Sequence, residues 1–101
     1  MSCKLLDKCR EAEREIIDET QGNRIELEYY LLTSEMDDCE KEAMITTYGV
    51  EIVKKVDGKS SETKRFENVH TDKEKMVSII GMLAENTVTP LSLQDILEDL
   101  L

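Results

Sequence analysis

EREIIDETQGNRIELEYYLL, residues 13–32, has two readings, and the fold turns on which one holds. As a helix, the segment continues from the N-terminus to Asp18 or Glu19 and stops at Gly22. As a hairpin, it is two strands joined at Gly22-Asn23, a dipeptide suited to tight turns because both residues tolerate left-handed backbone. Ile16 and Ile17 are β-branched and Thr20 favours strand, which tips the balance to the hairpin. After the turn, Ile25, Leu27, Tyr29 and Leu31 alternate with Glu26, Glu28, Tyr30 and Leu32. A period of two is the signature of a strand, with the odd positions facing a core and the glutamates facing water. At Tyr30 and Leu32 the second face also turns apolar, so that end of the sheet is expected to be covered.

Upstream, Ser2 to Ala12 predicts a short helix, with Ser2 as cap and Leu5, Leu6 and Cys9 at helical spacing. Downstream, SEMDDCEKEA (34–43) reads as a polar connection, and MITTYGVEIVKKV (44–56) as the next strand. Tyr48, Val50 and Ile52 share one face of that strand; Thr47, Gly49, Glu51 and Val53 share the other. A glycine there predicts a bulge, or a neighbour packed close on its bare side. Asp57-Gly58 is the turn signal. TKRFENV (63–69) returns as an edge strand whose charges, Lys64, Arg65 and Glu67, discourage pairing with other chains.

Thr71 to Glu74 matches a capping box. The helix it opens carries Met76, Ile79, Ile80 and Leu83 on one stripe, widened by Val77 and Ala84. It fades near Asn86, and Pro90 ends anything before it. Ser92, with Asp95 three residues on, is expected to cap a last helix. Leu93, Ile96, Leu97, Leu100 and Leu101 form its apolar stripe; Gln94, Asp95, Glu98 and Asp99 face water. The sum is an α+β fold: a three- or four-stranded antiparallel meander, covered on one face by two C-terminal helices, with a short N-terminal helix. Within one small domain spanning 1–101, residues 1–23 form an extension, 24–70 the sheet and 71–101 the helical cover.

Charge sets the class of partner. The chain carries 23 acidic against 13 basic residues, a formal net charge of −10. That disfavours general binding to nucleic acid or to an anionic membrane, since both need a positive footprint. No apolar run approaches a membrane span and nothing after Met1 reads as a signal peptide, so the expected compartment is the cytoplasm. Cys3, Cys9 and Cys39 are odd in number and not closely spaced, which fits reduced thiols there.

Tyr29 to Leu32, Tyr48 to Val50, Val88 to Pro90, and Leu93, Asp95 and Ile96 make up a further pattern. It resembles a domain-of-unknown-function family of small proteins from spore-forming Gram-positive bacteria. The resemblance covers roughly residues 24–101. It implies a soluble cytoplasmic protein and brings no catalytic residue.

Few residues offer chemistry. His70 stands at a strand-to-helix junction with no partner in sequence for base or nucleophile work, and reads as the strand's last residue. Cys39 lies among carboxylates that disfavour a thiolate. Cys3, Cys9, Cys39 and His70 are zinc-ligand types, but in no structural zinc spacing. Glu35, Asp37, Asp38, Glu40 and Glu42 lack the ladder of a calcium loop and read as a solvated connection. Phosphate-cradling glycine loops and serine nucleophile elbows are absent from the sequence. No catalytic, cofactor or metal residue is therefore assigned.

One local reversal stands out. Lys54, Lys55, Lys59, Lys64 and Arg65 face only Asp57 and Glu62 across 54–65, a basic hairpin on an acidic chain and a candidate partner-binding patch. Leu97 to Leu101 spells LxxLL, a pattern of helices that dock into grooves; here it is expected to close the core. These features point to a non-enzymatic protein-interaction or regulatory module with an unidentified protein partner, and an exposed edge offers a route to a homodimer. The alternatives are a nucleic-acid-directed role, by contact through the basic hairpin or by acidic mimicry of phosphate, and then a small metal-binding protein.

Overall fold

The hairpin reading is the one the chain adopts. In the computed structural model, which describes residues 3–17, 19–38 and 43–100, β1 (Cys3–Ile17) is followed, after a turn over 19–23, by β2 (Arg24–Asp38). Gly22 takes a positive φ of 71° in that turn, a conformation glycine adopts without strain. β3 (Ala43–Val56) and β4 (Lys59–His70) complete one antiparallel sheet in the order β1-β2-β3-β4. Asp57 and Gly58 join the last two strands with φ of 52° and 83°, as a two-residue hairpin requires. Asp57 also ties this tip to β2. Its N–H donates to the Arg24 carbonyl at 2.8 Å, and its carboxylate accepts from the Arg24 N–H at 3.0 Å.

The helix expected over Ser2 to Ala12 is replaced by the first half of β1. The pairing of β1 with β2 slips twice, between Leu5 and Asp7 and between Arg10 and Ala12. Leu6 and Glu11 are thus extra residues, β-bulges in an edge strand. The bulge at Glu11 breaks strict alternation, so Cys9, Ala12 and Ile16 share the roofed face at spacings of three and four, while the bulge at Leu6 leaves Leu5, four residues before Cys9, on the open face. Those spacings imitate a helix. The polar connection expected over 34–43 is also shorter than read. β2 runs to Asp38 and β3 starts at Ala43, so Ser34 to Asp38 belong to the strand, while Cys39, Glu40 and Glu42 lie outside the described residues.

Two helices roof one face. α1 (Lys73–Glu85) buries Met76, Ile80, Leu83 and Ala84; a 3-10 turn (Pro90–Ser92) leads into α2 (Leu93–Leu100), which buries Leu93 and Leu97. Their apolar stripes meet Leu27, Tyr29, Leu31, Val50 and Ile52 in one core. The terminal leucines therefore point inward, except that Leu100 is partly exposed. Leu101 lies outside the described residues.

Polar ties hold the roof at the far end of α1. The Tyr29 hydroxyl donates to the Val88 carbonyl at 2.8 Å in a buried site. Arg14 Nε donates to the Ala84 carbonyl at 3.0 Å. The last turn of α1 has no basic residue of its own, so Arg14 of β1 supplies the cation that a helix C-terminus favours.

Capping differs by a residue from the sequence reading. Asp72, not Thr71, caps α1: its carboxylate accepts from the N–H groups of Glu74 and Lys75. Both residue types are good caps, and local pattern alone does not choose between neighbours. His70 ends β4, and its Nδ1 accepts from the Asp72 N–H at 3.0 Å. α2 starts through Pro90, with Thr89 in the capping position and Ser92 already inside the 3-10 turn.

Of the two expectations for Gly49, the close neighbour is the one met in its own strand; the extra residues of the slip belong to β4. The β3–β4 register slips beside it, between Tyr48 and Val50, and the β4 backbone passes against its bare side.

Candidate interaction surface

The roof leaves the other face of the sheet without a helix. Register puts Lys8, Arg10, Arg24, Lys55 and Arg65 on that open face, with Glu13, Glu15, Glu26, Glu28, Glu51 and Glu67. Among the side chains the structure describes, five cations thus stand against six carboxylates, so these charges carry little of the chain's net −10.

The charges are organised around two central glutamates. Glu51, 4% exposed, receives Lys8 Nζ on one oxygen at 3.0 Å. Its other oxygen receives Arg65 Nε at 3.0 Å and a terminal Arg65 nitrogen at 2.8 Å. Glu28, 6% exposed, receives Arg10 at 3.1 Å, Lys55 at 3.2 Å and the Tyr30 hydroxyl at 3.1 Å. Burial pushes the Glu28 carboxyl up, but the bonds from Lys55, Tyr30 and Arg10 outweigh it and hold it below the usual carboxylate range. The same bonds raise Lys55, and the bond to Glu51 raises Arg65. Further along, Arg24 meets Glu15 at 2.9 Å.

Lys8 shows how a face without a helix still buries apolar residues. It pairs opposite Leu32 on β1 yet reaches Glu51 on β3, so its stem crosses β2. Its ammonium lies 4.5 Å from the centre of the Tyr30 ring. Leu32 and Ser34 are fully buried here, with Val53 and Thr47 nearly so. The cover expected over Leu32 is thus not a helix. Ser34 Oγ has no hydrogen-bond partner among the described residues. Leu5, Met36 and Ile45, all half-buried, extend this end as an apolar rim.

The second surface is the outer edge of β4. A recess of about 440 Å³ lies there, lined by Glu62, Thr63, Lys64, Pro90, Leu91 and Gln94. Leu91 is 83% exposed. It was absent from the expected stripe of the last helix, and that absence is the sequence signal: an apolar residue with no place on the buried side.

The five cations of the basic hairpin do not form one patch. Lys55 and Arg65 lie on the open face, bonded to Glu28 and Glu51. Lys54 and Lys64 lie on the helical side, since Lys54 pairs opposite Leu27 and Lys64 opposite Ile52. Lys64 sits 5.6 Å from the centre of the Phe66 ring. Lys59 stands exposed beside the tip. The zinc-ligand types are no closer: Cys9 is on one edge strand and His70 on the other, three strand spacings or roughly 14 Å apart. Cys39 lies outside the described residues. Among the described residues, no group of three or more His, Cys, Asp or Glu is placed to hold a metal ion. Nor is any described helix long and apolar enough to cross a membrane.

The model of a family of unknown function, DUF6514, matches residues 9–101 of this chain. No curated protein matches. No solved structure matches.

Proposed function

We infer, since the chain belongs to the family of unknown function DUF6514 and takes no activity from it, that the protein is a non-enzymatic interaction module acting in the bacterial cytoplasm. Its open sheet face is the surface that receives a protein partner. One observation carries this reading: on a chain of net charge −10, the face without a helix is nearly neutral and its charges are fixed in pairs. Pre-set ion pairs make a surface that orders little further on binding, which lowers the entropic cost of docking. The apolar rim of Leu5, Met36 and Ile45 adds area that gains by leaving water. Contact with nucleic acid through the basic hairpin is less favoured, because Lys55 and Arg65 are already bonded to glutamates and the remaining lysines do not share their face.

Site-specific cross-linking tests the reading in the native host. A photoreactive residue at position 13, on the open face, is expected to give a discrete adduct that the same residue at position 78, on α1, does not. Identical adducts from both positions, or none from position 13, would count against it.

A further inference from the structure

We propose that the protein pairs with a second copy of itself through β4, edge to edge and antiparallel, so that two four-stranded sheets become one of eight. This surface lies apart from the open face, and the two proposals stand or fall separately.

The first ground is the order of charges along the edge. β4 closes the sheet, so among the described residues no strand lies beyond its outer main-chain groups. Between its two register slips, β4 pairs regularly from Glu62 to Phe66. Within that run, Glu62 and Lys64 flank Thr63. A two-fold axis through Thr63 sets Glu62 of each copy opposite Lys64 of the other. The two neighbouring registers that keep each face of the sheet continuous fail. An axis through Lys64 sets lysine on lysine. One through Glu62 sets glutamate on glutamate. Opposite charges across a strand pair attract and like charges repel, so the charges select a single register.

The second ground is independent of charge. The recess beside the edge is centred on the same residues, Glu62 to Lys64, and Leu91 stands almost fully exposed at its wall. Glu62 and Lys64 lie on the helical side, opposite Lys54 and Ile52. An axis normal to the sheet keeps both roofs on one side, so the two recesses face each other and each Leu91 enters the other's. A self-complementary patch of this kind is what a two-fold interface needs. Repulsion between two chains of net charge −10 opposes it, which makes the dimer weak and reversible.

Sedimentation of the full chain over a concentration series tests this, with circular dichroism to confirm each fold. The wild type is expected to dimerise reversibly with a Kd on the order of 100 µM. Lys64→Glu and Glu62→Lys, both at exposed positions, each replace two attractive pairs by two repulsive ones and should weaken the dimer about tenfold or more. Mixing these two variants restores opposite charges at every pair, so a mixed dimer should form where each variant alone is monomeric. The double exchange E62K/K64E should also dimerise, and Leu91→Ser should weaken it. A wild type that stays monomeric to about 1 mM overturns the proposal. So does a dimer that the single exchanges leave unchanged, or a mixture that stays monomeric.

Discussion

Replacing Gly49 with alanine should damage this fold more than any other loss or gain of a single methyl. A Cβ built on Gly49 stands 2.1 Å from the Phe66 carbonyl oxygen and 2.9 Å from the Glu67 Cα. Carbon–oxygen contacts ordinarily begin at about 3.3 Å, so the clearance falls short by about 1 Å. Both obstacles are main chain, and no rotamer relieves them. Either β4 retreats from β3 where Phe66 packs on the core, or β3 rotates and disturbs Val50 beside it. Overpacking of this order costs about 1–3 kcal/mol, and a weakened ladder bond adds about 1. A loss of about 3 kcal/mol is therefore expected, a large part of the roughly 5–15 available to a small domain. Urea unfolding of Gly49→Ala against wild type measures it. Gly81 supplies the internal contrast, since a Cβ there, inside α1, meets nothing within 4 Å. Gly81→Ala should stabilise by up to about 1 kcal/mol, because alanine favours helix interiors. A Gly49→Ala midpoint within 1 kcal/mol of wild type would mean that β4 does not pass against β3 as described.

Ile80 is fully buried under the roof, so Ile80→Ala should cost about 2–5 kcal/mol by chemical denaturation, with little loss if α1 did not cover the sheet. Burial pushes the Tyr29 hydroxyl up to about 12, only partly offset by Arg14. Because that acid is weaker folded than unfolded, the stability it contributes is whole below about pH 10 and is lost as pH rises towards 12; Tyr29→Phe should remove this alkaline slope. It should also cost about 1–2 kcal/mol at neutral pH by leaving the Val88 carbonyl without its donor, as an unfolding curve at pH 7 would show. Glu28 is held below the usual carboxylate range, so its contribution is present above about pH 4.3 and is lost as pH falls through its lower folded value. Glu28→Gln should flatten the acid limb of a stability-against-pH curve; an unchanged limb would place that loss elsewhere.

Much of the fold is legible wherever one face of a strand is buried by the roof. Leu27, Tyr29 and Leu31, then Val50 and Ile52, keep strict alternation because core packing forbids slippage. The stripe of α1 and the leucines of α2 are legible for the same reason. β1 is not, because it is an edge strand whose two bulges shift its phase. The result places Cys9, Ala12 and Ile16, which share the roofed face, at intervals of three and four although the backbone is extended. The end of β2 was hidden by composition: Ser34 to Asp38 are mostly polar and acidic, yet they pair with β3 across their whole length.

The surfaces were less legible than the fold, and the cause is the pleat itself. Lys54, Lys55, Lys64 and Arg65 are close in sequence, and a run of cations in sequence reads as a patch. In a strand, neighbours point to opposite sides. Lys54 and Lys64 go to the roofed side, Lys55 and Arg65 to the open one, where Glu28 and Glu51 wait on the two inner strands. Of these, Glu28 is expected from sequence only to face water, and Glu51 only to share the second face of its strand. Their position on central strands, flanked on both sides by strands carrying cations, changes their role. A carboxylate at the middle of a sheet is shielded by its neighbours and keeps its charge only if cations reach it, so the long side chains of Lys8, Arg10, Lys55 and Arg65 fold inward over it. The open face is thereby neutralised from its edges. The acid excess lies elsewhere on the chain, and Glu62 and Lys64 stand exposed at the rim on the roofed side, with Lys54 opposite Glu62.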